Sequence, residues 1–419
     1  MQDMSTILFK SNQLFADDEK KLAYIRTNTL TALDELDFLR KTRLFIFLYE
    51  NHLLPTILTA NSNEKGLSLD LAGANLANIT LKSSSFRKFE FEKLSLSSVD
   101  LTNVSFIECQ FRDGVNFHNS AMSGAKFTRS RFECYEKTST HTFFDRSTLN
   151  GTDFRSTFLC DVSFNKGNMS NVNFTETVFE GRIEFKETIL TKADFRSTQI
   201  RYPLLITFFN SNLRDSVVNE DLFRRQGDLG NMQMFNVILP NGTWLMNKDT
   251  LVLNGDAETN CSTALNDHEI PHWSGFNPQS ALDPTLSSDL HLMNSTHGQC
   301  VFNFTINDKV VAMYQSIDIS DYSVFTDSGE TEYEFRADVG CESGFLLITT
   351  SYYDASITRL SIAGFQSQIT KEFAWQKWIA SKRIPILTRT IKLQIVREIK
   401  GSCLLDNIEL YIRKENTKG

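Results

Sequence analysis

The sequence has no long hydrophobic stretch. Its longest apolar run, Leu44–Tyr49, is six residues long, whereas a helix that crosses a bilayer needs about 20. The first 25 residues also lack the basic start, apolar block and small-residue cleavage site of a secretory signal peptide. The sequence therefore predicts no transmembrane segment in this chain, and it shows no export signal.

Motifs of common catalytic sites are also missing. There is no Gly-x-Ser-x-Gly elbow, no glycine-rich phosphate loop and no Cys-x-x-Cys pair. The segment 268–272 has the spacing of a zinc-protease motif, which requires two histidines on one face of a helix. It contains Pro271, which a helix tolerates only in its first turn. We therefore predict no catalytic residue, and we do not expect an enzyme.

Tryptophan and tyrosine are scarce, with 4 and 10 residues, whereas there are 34 phenylalanines. This preference indicates many similar interior positions filled by rings without a polar group. Large apolar residues recur at every fifth position, first at Leu71, Leu76, Leu81, Phe86, Phe91, Leu96, Leu101, Phe106 and Phe111. The period resumes at Phe117 and Phe144 and continues, with slips of one residue, to about 240. Small or β-branched residues often lie two positions earlier, as at Ala74, Val99, Ala125, Thr152 and Ala193.

A period of five fits neither an α-helix nor a β-strand, whose side chains repeat at about 3.6 and 2 residues. It fits a coil with flat sides, in which one large and one small residue of each five point inward. Four such sides close a square coil, and stacked coils pair their backbones at the strand spacing of about 4.8 Å. The repeats, clearest at 74–76, 152–154 and 193–195, resemble the pentapeptide-repeat family, whose consensus is Ala-(Asp/Asn)-Leu-x-x. The resemblance implies a right-handed quadrilateral β-helix over 67–244.

Interruptions of the period are expected to be local. Extra residues near Gly114, Gly181 and Gly227 indicate bulges at corners. The insertion 133–143 must loop out. We also expect a loop at Arg201–Thr207, because this segment contains a proline, which cannot donate to a strand ladder.

Residues 1–66 precede the repeats and show helix-like apolar spacing, from Leu22 to Leu39 and again from Leu44 to Leu54. A repeat stack exposes an apolar end that needs a cap, so we predict that these helices form it; a docking surface for a partner is the alternative. Arg26–Leu54 resembles the segment after the anchor in some eukaryotic membrane-anchored pentapeptide-repeat proteins. The anchor itself is missing, which suggests a shortened relative or an incomplete gene prediction.

After about 245, short alternating strands separated by turns indicate a β-sandwich. Leu253–Glu258, Trp378 with Ile384-Pro385, and Leu405–Ile408 occur in an order that resembles galactose-binding-like jelly rolls of carbohydrate-binding modules. The resemblance implies a jelly roll over 245–419, with Trp273 in its core. The whole chain is thus predicted to be mainly β.

The jelly-roll resemblance further implies one structural calcium ion where the first and last strands meet. Asp256, Glu258 and Asp406 are the matching carboxylates, and calcium prefers several such hard oxygen ligands. The alternative is that these side chains satisfy turn backbones without a metal. No other cofactor is expected.

Four of the seven cysteines fall in the predicted jelly roll: Cys261, Cys300, Cys341 and Cys403. An even number suits disulfides in an exported protein. Related domains often place a cysteine just after this first strand, so the resemblance implies a bridge between Cys261 and Cys300.

Among the glycosylation sequons, those at Asn241, Asn294 and Asn303 lie outside the repeats and carry the most weight. Together with the cysteines and the resemblance, they favour an extracellular or membrane-associated protein, although no export signal is present. Sequons inside the repeats carry less weight, because Asn, Ser and Thr are common there.

The net charge of −8 argues against nucleic-acid binding, which normally needs a basic surface. Residues 67–240 hold 20 acidic and 20 basic residues, so the repeats lack the negative charge that a DNA mimic would present. We predict a non-catalytic binding or scaffold protein: a rigid β-helix that carries a jelly roll for a glycan, or for another protein. A purely structural scaffold with a degenerate jelly roll is the main alternative, ahead of a DNA mimic or an enzyme.

Overall fold

The computed structural model describes residues 18–57, 69–134, 142–218, 232–245, 249–259, 270–276, 300–304, 310–341, 344–367, 375–397 and 403–415. Strands take up 43% and helices 11%, so the protein is mainly β. The chain divides into two compact units, Met1–Leu245 and Met246–Gly419. The first contains helices and a β-solenoid and the second a β-sandwich, which confirms the predicted fold class.

Two helices precede the solenoid: α1 (Asp18–Glu35) and α2 (Phe38–Glu50). Asp37 begins α2, because its Oδ1 accepts a hydrogen bond from the Arg40 amide at 2.9 Å, and such a side chain satisfies an N–H that the first turn leaves unpaired. In the part of the chain that the structure describes, no helix is long and apolar enough to span a bilayer.

The helices cover the first coil of the solenoid. Phe45 and Tyr49 of α2 place their rings 6.3 and 5.2 Å from the ring of Phe91. The Tyr49 hydroxyl also donates to the Glu90 carbonyl at 2.9 Å. Apolar side chains of both helices belong to the same buried cluster as the solenoid interior, so the predicted helical cap is confirmed.

The solenoid is built from short strands that successive coils contribute: β1 (Thr80–Lys82), β2 (Glu90–Glu92), β3 (Ser105–Ile107), β4 (Gln110–Arg112), β5 (Arg131–Phe132), β6 (Thr142–Phe143), β7 (Phe158–Ser163), β8 (Val178–Lys186), β9 (Gln199–Phe209), β10 (Met232–Phe235), β11 (Val237–Ile238) and β12 (Trp244–Leu245). Apart from the antiparallel pair β11 and β12, these strands pair in parallel. Along one wall, parallel bridges link equivalent residues of successive coils: Asn75, Asp100, Ala121, Thr148, Asn168, Ile189, Asn212 and Ile238.

Large inward side chains stack from coil to coil. Phe127, Phe154, Phe174 and Phe195 are each 0% exposed, and successive rings in this column lie 5.2, 5.3 and 5.1 Å apart in stacked geometry. Each coil thus adds one ring to the same column, which explains the excess of phenylalanine over tyrosine. The predicted inward orientation of every fifth residue is confirmed for these positions.

Small inward residues do more than leave room for the rings. The Thr157 hydroxyl donates to the carbonyl of Phe127, and the Thr177 hydroxyl to that of Phe154, both at 2.8 Å. The same bond to the preceding coil recurs at Ser120, Ser130, Ser147, Thr152 and Thr188. These buried hydroxyls are therefore satisfied, and they tie neighbouring coils together.

One residue predicted to point inward faces solvent: Phe86 is 99% exposed, so that prediction is wrong. The chain turns here, because the Ser84 amide donates to the Arg87 carbonyl at 2.7 Å and the Arg87 amide donates to Ser84 Oγ at 3.1 Å. Phe89, 4% exposed, is the aromatic residue that is buried after the turn. One whole pentapeptide lies in this turn and not in a wall of the coil, so the five-residue spacing in the sequence continues unchanged after it.

The prediction of a loop at Arg201–Thr207 is also wrong, because β9 runs through this segment. Its register with β8 shifts between Phe179 and Gly181, so residues 201–203 have no register partner in β8. The proline at 203 therefore costs no bond in that ladder. Gly181 takes a φ of +68°, which suits the bulge predicted there. The bulge predicted at Gly227 lies outside the described residues.

The second unit contains two antiparallel sheets. The five-stranded sheet has the order β13 (Ser274–Phe276), β15 (Val311–Asp318), β20 (Thr390–Arg397), β17 (Leu347–Tyr353) and β18 (Arg359–Gln366). The four-stranded sheet has the order β14 (Phe302–Asn303), β21 (Cys403–Lys414), β16 (Thr331–Cys341) and β19 (Gln376–Arg383). A 3-10 turn, Ser320–Tyr322, and the short helix α3 (Ser323–Asp327) follow β15.

Aromatic side chains join the two sheets. Phe365 of β18 lies 5.8 Å from Phe335 and 5.5 Å from Trp378, which belong to the opposite sheet. Tyr333 Oη and Thr350 Oγ1 form a hydrogen bond of 3.0 Å across the core. Burial raises the pKa of Tyr333 well above its usual range, so this hydroxyl stays protonated as a structural group.

Candidate functional site

The outward side of the five-stranded sheet carries a regular array of polar side chains. In β15, β20 and β17, buried residues alternate with partly exposed ones, so alternate side chains of these three strands face outward. We call the outward set the tyrosine face: Tyr314, Ser316, Thr349, Ser351, Tyr353, Thr390, Lys392 and Gln394. It holds two phenol rings, four small hydroxyls, one amide and one ammonium group.

The strand register arranges these groups in rows across the sheet. Tyr314 pairs with Gln394, which pairs with Thr349. In the next row Lys392 lies between Ser316 and Ser351. Cross-strand neighbours have Cβ atoms about 4.5–5.5 Å apart. The rows therefore present hydrogen-bonding groups at spacings that a chain-like polar ligand can follow.

The polar groups of the tyrosine face are available for a ligand. Among the described residues, none of its hydroxyl or amide groups forms a hydrogen bond with another protein group. Lys392 Nζ lies 3.8 Å from the centre of the Tyr314 ring. Paired strands fix the backbone from which these side chains project.

The outward side of the four-stranded sheet differs, because it carries a cluster of four charged residues that pair with one another. Arg413 binds both Glu332, at 2.8 Å, and Glu334. Arg336 binds Glu334 at 2.5 Å and lies over the Tyr411 ring at 5.3 Å. These partners occupy the groups that a ligand would need.

A groove of about 310 Å³ lies at one end of that four-stranded sheet. The register of β16 and β21 shifts between Arg336 and Asp338, and Asn407 takes a φ of +49°. Asn407 Nδ2 then donates to Asp338 Oδ2 at 3.0 Å. The bulge thus shapes the groove, but its amide and carboxylate bind each other.

The three carboxylates predicted to bind calcium do not converge. The Asp256 carboxylate accepts from the Glu258 amide at 3.3 Å, that of Glu258 from the Cys300 amide at 2.8 Å, and that of Asp406 from the Asn407 amide at 2.8 Å. Their oxygens are not all within 4.8 Å of one another. The carboxylates present do not form a ready calcium cage, and calcium binding stays a prediction.

Trp273 packs into the sandwich interior, as the resemblance implied. It is 6% exposed, its Nε1 donates to the Asn254 carbonyl at 3.2 Å, and its ring lies 5.7 Å from that of Phe302. The preceding residue, His272, takes a φ of +69° in a turn. A turn there is incompatible with the helix that a zinc-protease motif requires; His268 and Glu269 lie outside the described residues.

Disulfides occur in both units. Cys134 pairs with Cys160 in the solenoid, and Cys341 pairs with Cys403 in the sandwich. Cys300 is also disulfide-bonded, but Cys261 lies outside the described residues, so the Cys261–Cys300 bridge stays a prediction. Neither of these two disulfide pairs was predicted from the sequence.

The remaining cysteine, Cys109, is a buried free thiol at a small inward position. Burial raises its pKa to about 12, so it remains a neutral thiol at physiological pH. Among the described residues, one group of three possible metal ligands lies close together: Cys134, Cys160 and Glu180. Two of these are the disulfide partners in the solenoid.

The predicted glycosylation sites differ in exposure. Asn241 is exposed in the turn between β11 and β12, where its Oδ1 accepts from the Thr243 amide at 2.9 Å. Asn303 lies in β14 and is 8% exposed. Asn294 lies outside the described residues. These environments favour glycosylation at Asn241 over glycosylation at Asn303.

When the protein is produced through a eukaryotic secretory pathway, we expect an N-linked glycan at Asn241 and none at Asn303. Only the exposed amide can present a glycan without disturbing the folded domain. Peptide mass spectrometry before and after enzymatic deglycosylation measures occupancy at each asparagine, with Asn241→Gln as the control. A glycan at Asn303 in correctly folded protein would contradict this expectation.

The fold and this array define a class: a pentapeptide-repeat solenoid joined to a β-sandwich with a polar sheet face. Residues 95–133 and 144–181 match the family model for pentapeptide repeats in 8 copies, so this part of the chain consists of pentapeptide repeats. No curated protein sequence matches the chain.

Several solved structures resemble the chain at low identity. The enzymatically active domain of bacteriophage CBA120 tailspike protein 4 is 12% identical with a TM-score of 0.27; the match covers 83% of this chain, which spans about half (52%) of that one. The CBM22-1 xylan-binding domain of Paenibacillus barcinonensis Xyn10C is 15% identical over 40% of this chain and 96% of its own, with a TM-score of 0.25. The fluoroquinolone resistance protein QnrB1 is 19% identical over 39% and 84%, with a TM-score of 0.18.

Proposed function

We propose that this protein is a non-catalytic glycan-binding protein, in which the tyrosine face of the sandwich binds the saccharide. One observation carries the proposal: the tyrosine face presents hydroxyl and amide groups that, among the described residues, have no protein partner. On the other sheet, Glu332, Glu334, Arg336 and Arg413 are paired with one another. A ligand that offers many neutral hydrogen bonds is therefore better matched to the first face.

The chemistry of a saccharide matches these groups. A sugar ring combines hydroxyls, which bond to Gln394 or Thr349, with an apolar C–H surface that packs against a phenol ring. Tyrosine supplies a rigid, amphipathic contact area at low entropic cost. Because the side chains lie on paired strands, the ligand does not have to order the backbone when it binds.

The solenoid supports this role as a rigid element. Each described coil is hydrogen-bonded to the next through backbone bridges and hydroxyl bonds, and repeat stacks of this kind form extended structures. Its outer charges pair between coils, as Arg129 does with Glu108 at 2.6 Å. We assign the solenoid a structural role and the sandwich the binding role.

The test compares variants of the two sheet faces in the full-length chain. Tyr314→Ala and Gln394→Ala should each weaken glycan binding about tenfold, since losing a packed ring or a hydrogen bond costs roughly 1.4 kcal/mol. Binding is measured first on a glycan array and then by titration calorimetry with the oligosaccharides it identifies.

Ile379→Ala is the matched control, because this residue lies in β19 on the other sheet and is 60% exposed. It should bind as the wild type does. If the folded protein binds no saccharide, the proposal fails and the purely structural scaffold becomes the better explanation. Equal losses in Tyr314→Ala and Ile379→Ala would show that the tyrosine face is not the site.

A further inference from the structure

The tyrosine face has a cation near its centre. Lys392 lies in β20, the strand between β15 and β17, with Ser316 and Ser351 as its cross-strand neighbours. Among the described residues, no carboxylate lies within ion-pairing distance of its ammonium group. Its contact is the Tyr314 ring, 3.8 Å from Nζ, an interaction worth about 0.5–1 kcal/mol at an exposed site.

Lys392 is the one charged residue among the eight of the tyrosine face. Residues 241–419 carry a net charge of about −7, and the charged residues beyond Lys392 at this end of the sheet have both signs: Arg359, Asp318 and Asp354. Asp318 accepts from the Ser320 amide at 2.8 Å. Arg359 is exposed and pairs in register with Tyr353. A lysine near the centre of the face, with serines rather than carboxylates as its cross-strand neighbours, is unexpected for a face that binds only neutral ligands.

We propose, on the basis of the function proposed above, that the face selects an anionic saccharide, one that carries a carboxylate or a sulfate ester. The Lys392 ammonium is the charge partner of that group. The Ser316 and Ser351 hydroxyls flank it and donate to the remaining oxygens. Bonds from a charged donor are about twice as strong as neutral ones, so the anionic group contributes a large share of the affinity.

The contact between Lys392 and the Tyr314 ring leads to the opposite expectation for the binding of neutral sugars. Lys392 covers one side of the Tyr314 ring, so a neutral sugar that stacks on this ring must first displace the ammonium group. Removing the charge should therefore weaken the binding of anionic saccharides but leave neutral binding unchanged or stronger. A merely structural lysine would not produce this split.

The experiment uses titration calorimetry on the full-length chain with three probes: polygalacturonate oligomers, sulfated dextran and neutral β-1,4-galactan oligomers. Lys392→Met should lower affinity for at least one anionic probe by tenfold or more, and Lys392→Arg should keep it within about threefold. Affinity for that probe should also fall as salt rises from 50 to 300 mM, because counter-ions screen the pair.

Lys377→Met is the matched control, since this lysine lies in β19 on the other sheet and is exposed. It should bind as the wild type does. The two anionic probes distinguish a carboxylate from a sulfate ester as the recognised group. Tight binding of neutral galactan alone, or anionic binding that Lys392→Met leaves intact, overturns the inference but not the glycan-binding proposal. A wild type that binds neither anionic probe overturns the inference, whereas the glycan-binding proposal fails only if the folded protein binds no saccharide on the glycan array.

Discussion

Replacing Phe154 by alanine should destabilise the solenoid by about 3–5 kcal/mol, the usual cost of removing a buried aromatic ring. Phe154 is 0% exposed and its ring stacks between those of Phe127 and Phe174 at 5.2 and 5.3 Å. Adjacent coils are fixed by backbone bonds and cannot collapse into the space, so most of the cavity remains. Urea-induced loss of far-UV circular dichroism measures the change.

Phe86→Ala is the control for this substitution. Both residues are phenylalanines at the fifth-residue spacing of the sequence, but Phe86 is 99% exposed. Its replacement should change the free energy of unfolding by less than about 0.5 kcal/mol. Similar effects of the two substitutions would mean that Phe86 is packed inside a coil, and the turn at 84–87 would then be wrong.

This pair also shows what the sequence can and cannot predict about the solenoid. A period of five predicts the walls and their inward residues, because each wall repeats the same inward positions. The period cannot reveal that a whole pentapeptide leaves the wall, since a five-residue turn preserves the spacing. Only the presence of a second aromatic, Phe89, close to Phe91 hints that one of the three phenylalanines is surplus.

Hydroxyls in the solenoid interior were another feature that spacing alone did not indicate. A small residue at the inward position can be explained by the narrow interior of the coil, and Ala74, Ala125 and Ala193 fit that explanation. The frequency of serine and threonine is the signal that was available, because a buried hydroxyl needs a partner. The partner is a carbonyl of the preceding coil, as in Thr157 and Phe127, and identifying it requires the coil register.

The candidate site was less predictable than the fold. Alternation within 347–353 and 390–396 separates buried from exposed side chains, and this much follows from the sequence. It does not reveal that β15, β20 and β17 are adjacent, because two other strands, β18 and β19, lie between β17 and β20 in the sequence. Tyr314, Lys392 and Ser351 therefore become neighbours only through long-range pairing, which a local pattern cannot specify.

The disulfides were missed for a related reason. Arg131 pairs with Phe158 between neighbouring coils, so Cys134 and Cys160, 26 residues apart, lie one coil from each other. Counting coils across the insertion 133–143 would have been needed to see this. Cys341 and Cys403 become neighbours because β16 and β21 pair at this position, which no sequence spacing indicates.

Removing the sandwich disulfide should cost about 4 kcal/mol of stability, on the chain-entropy estimate for a bridge between residues 62 apart. The double variant Cys341→Ala/Cys403→Ala tests this, because alanine leaves no buried hydroxyl in its place. Both sulfurs are buried, with Cys341 2% and Cys403 0% exposed. Tryptophan fluorescence during urea unfolding reports mainly on the sandwich, since three of the four tryptophans, Trp273, Trp375 and Trp378, belong to the second unit.

Cys109→Ala is the matched substitution of a buried cysteine that forms no disulfide. It should cost about 1 kcal/mol, the loss of one buried atom, because other coils already accept alanine at the same inward position. The comparison separates the cross-link from the packing of sulfur. If the double variant unfolds within about 1 kcal/mol of the wild type, the paired strands already hold the two ends together, and the disulfide adds little to the stability of the sheet that faces away from the proposed site.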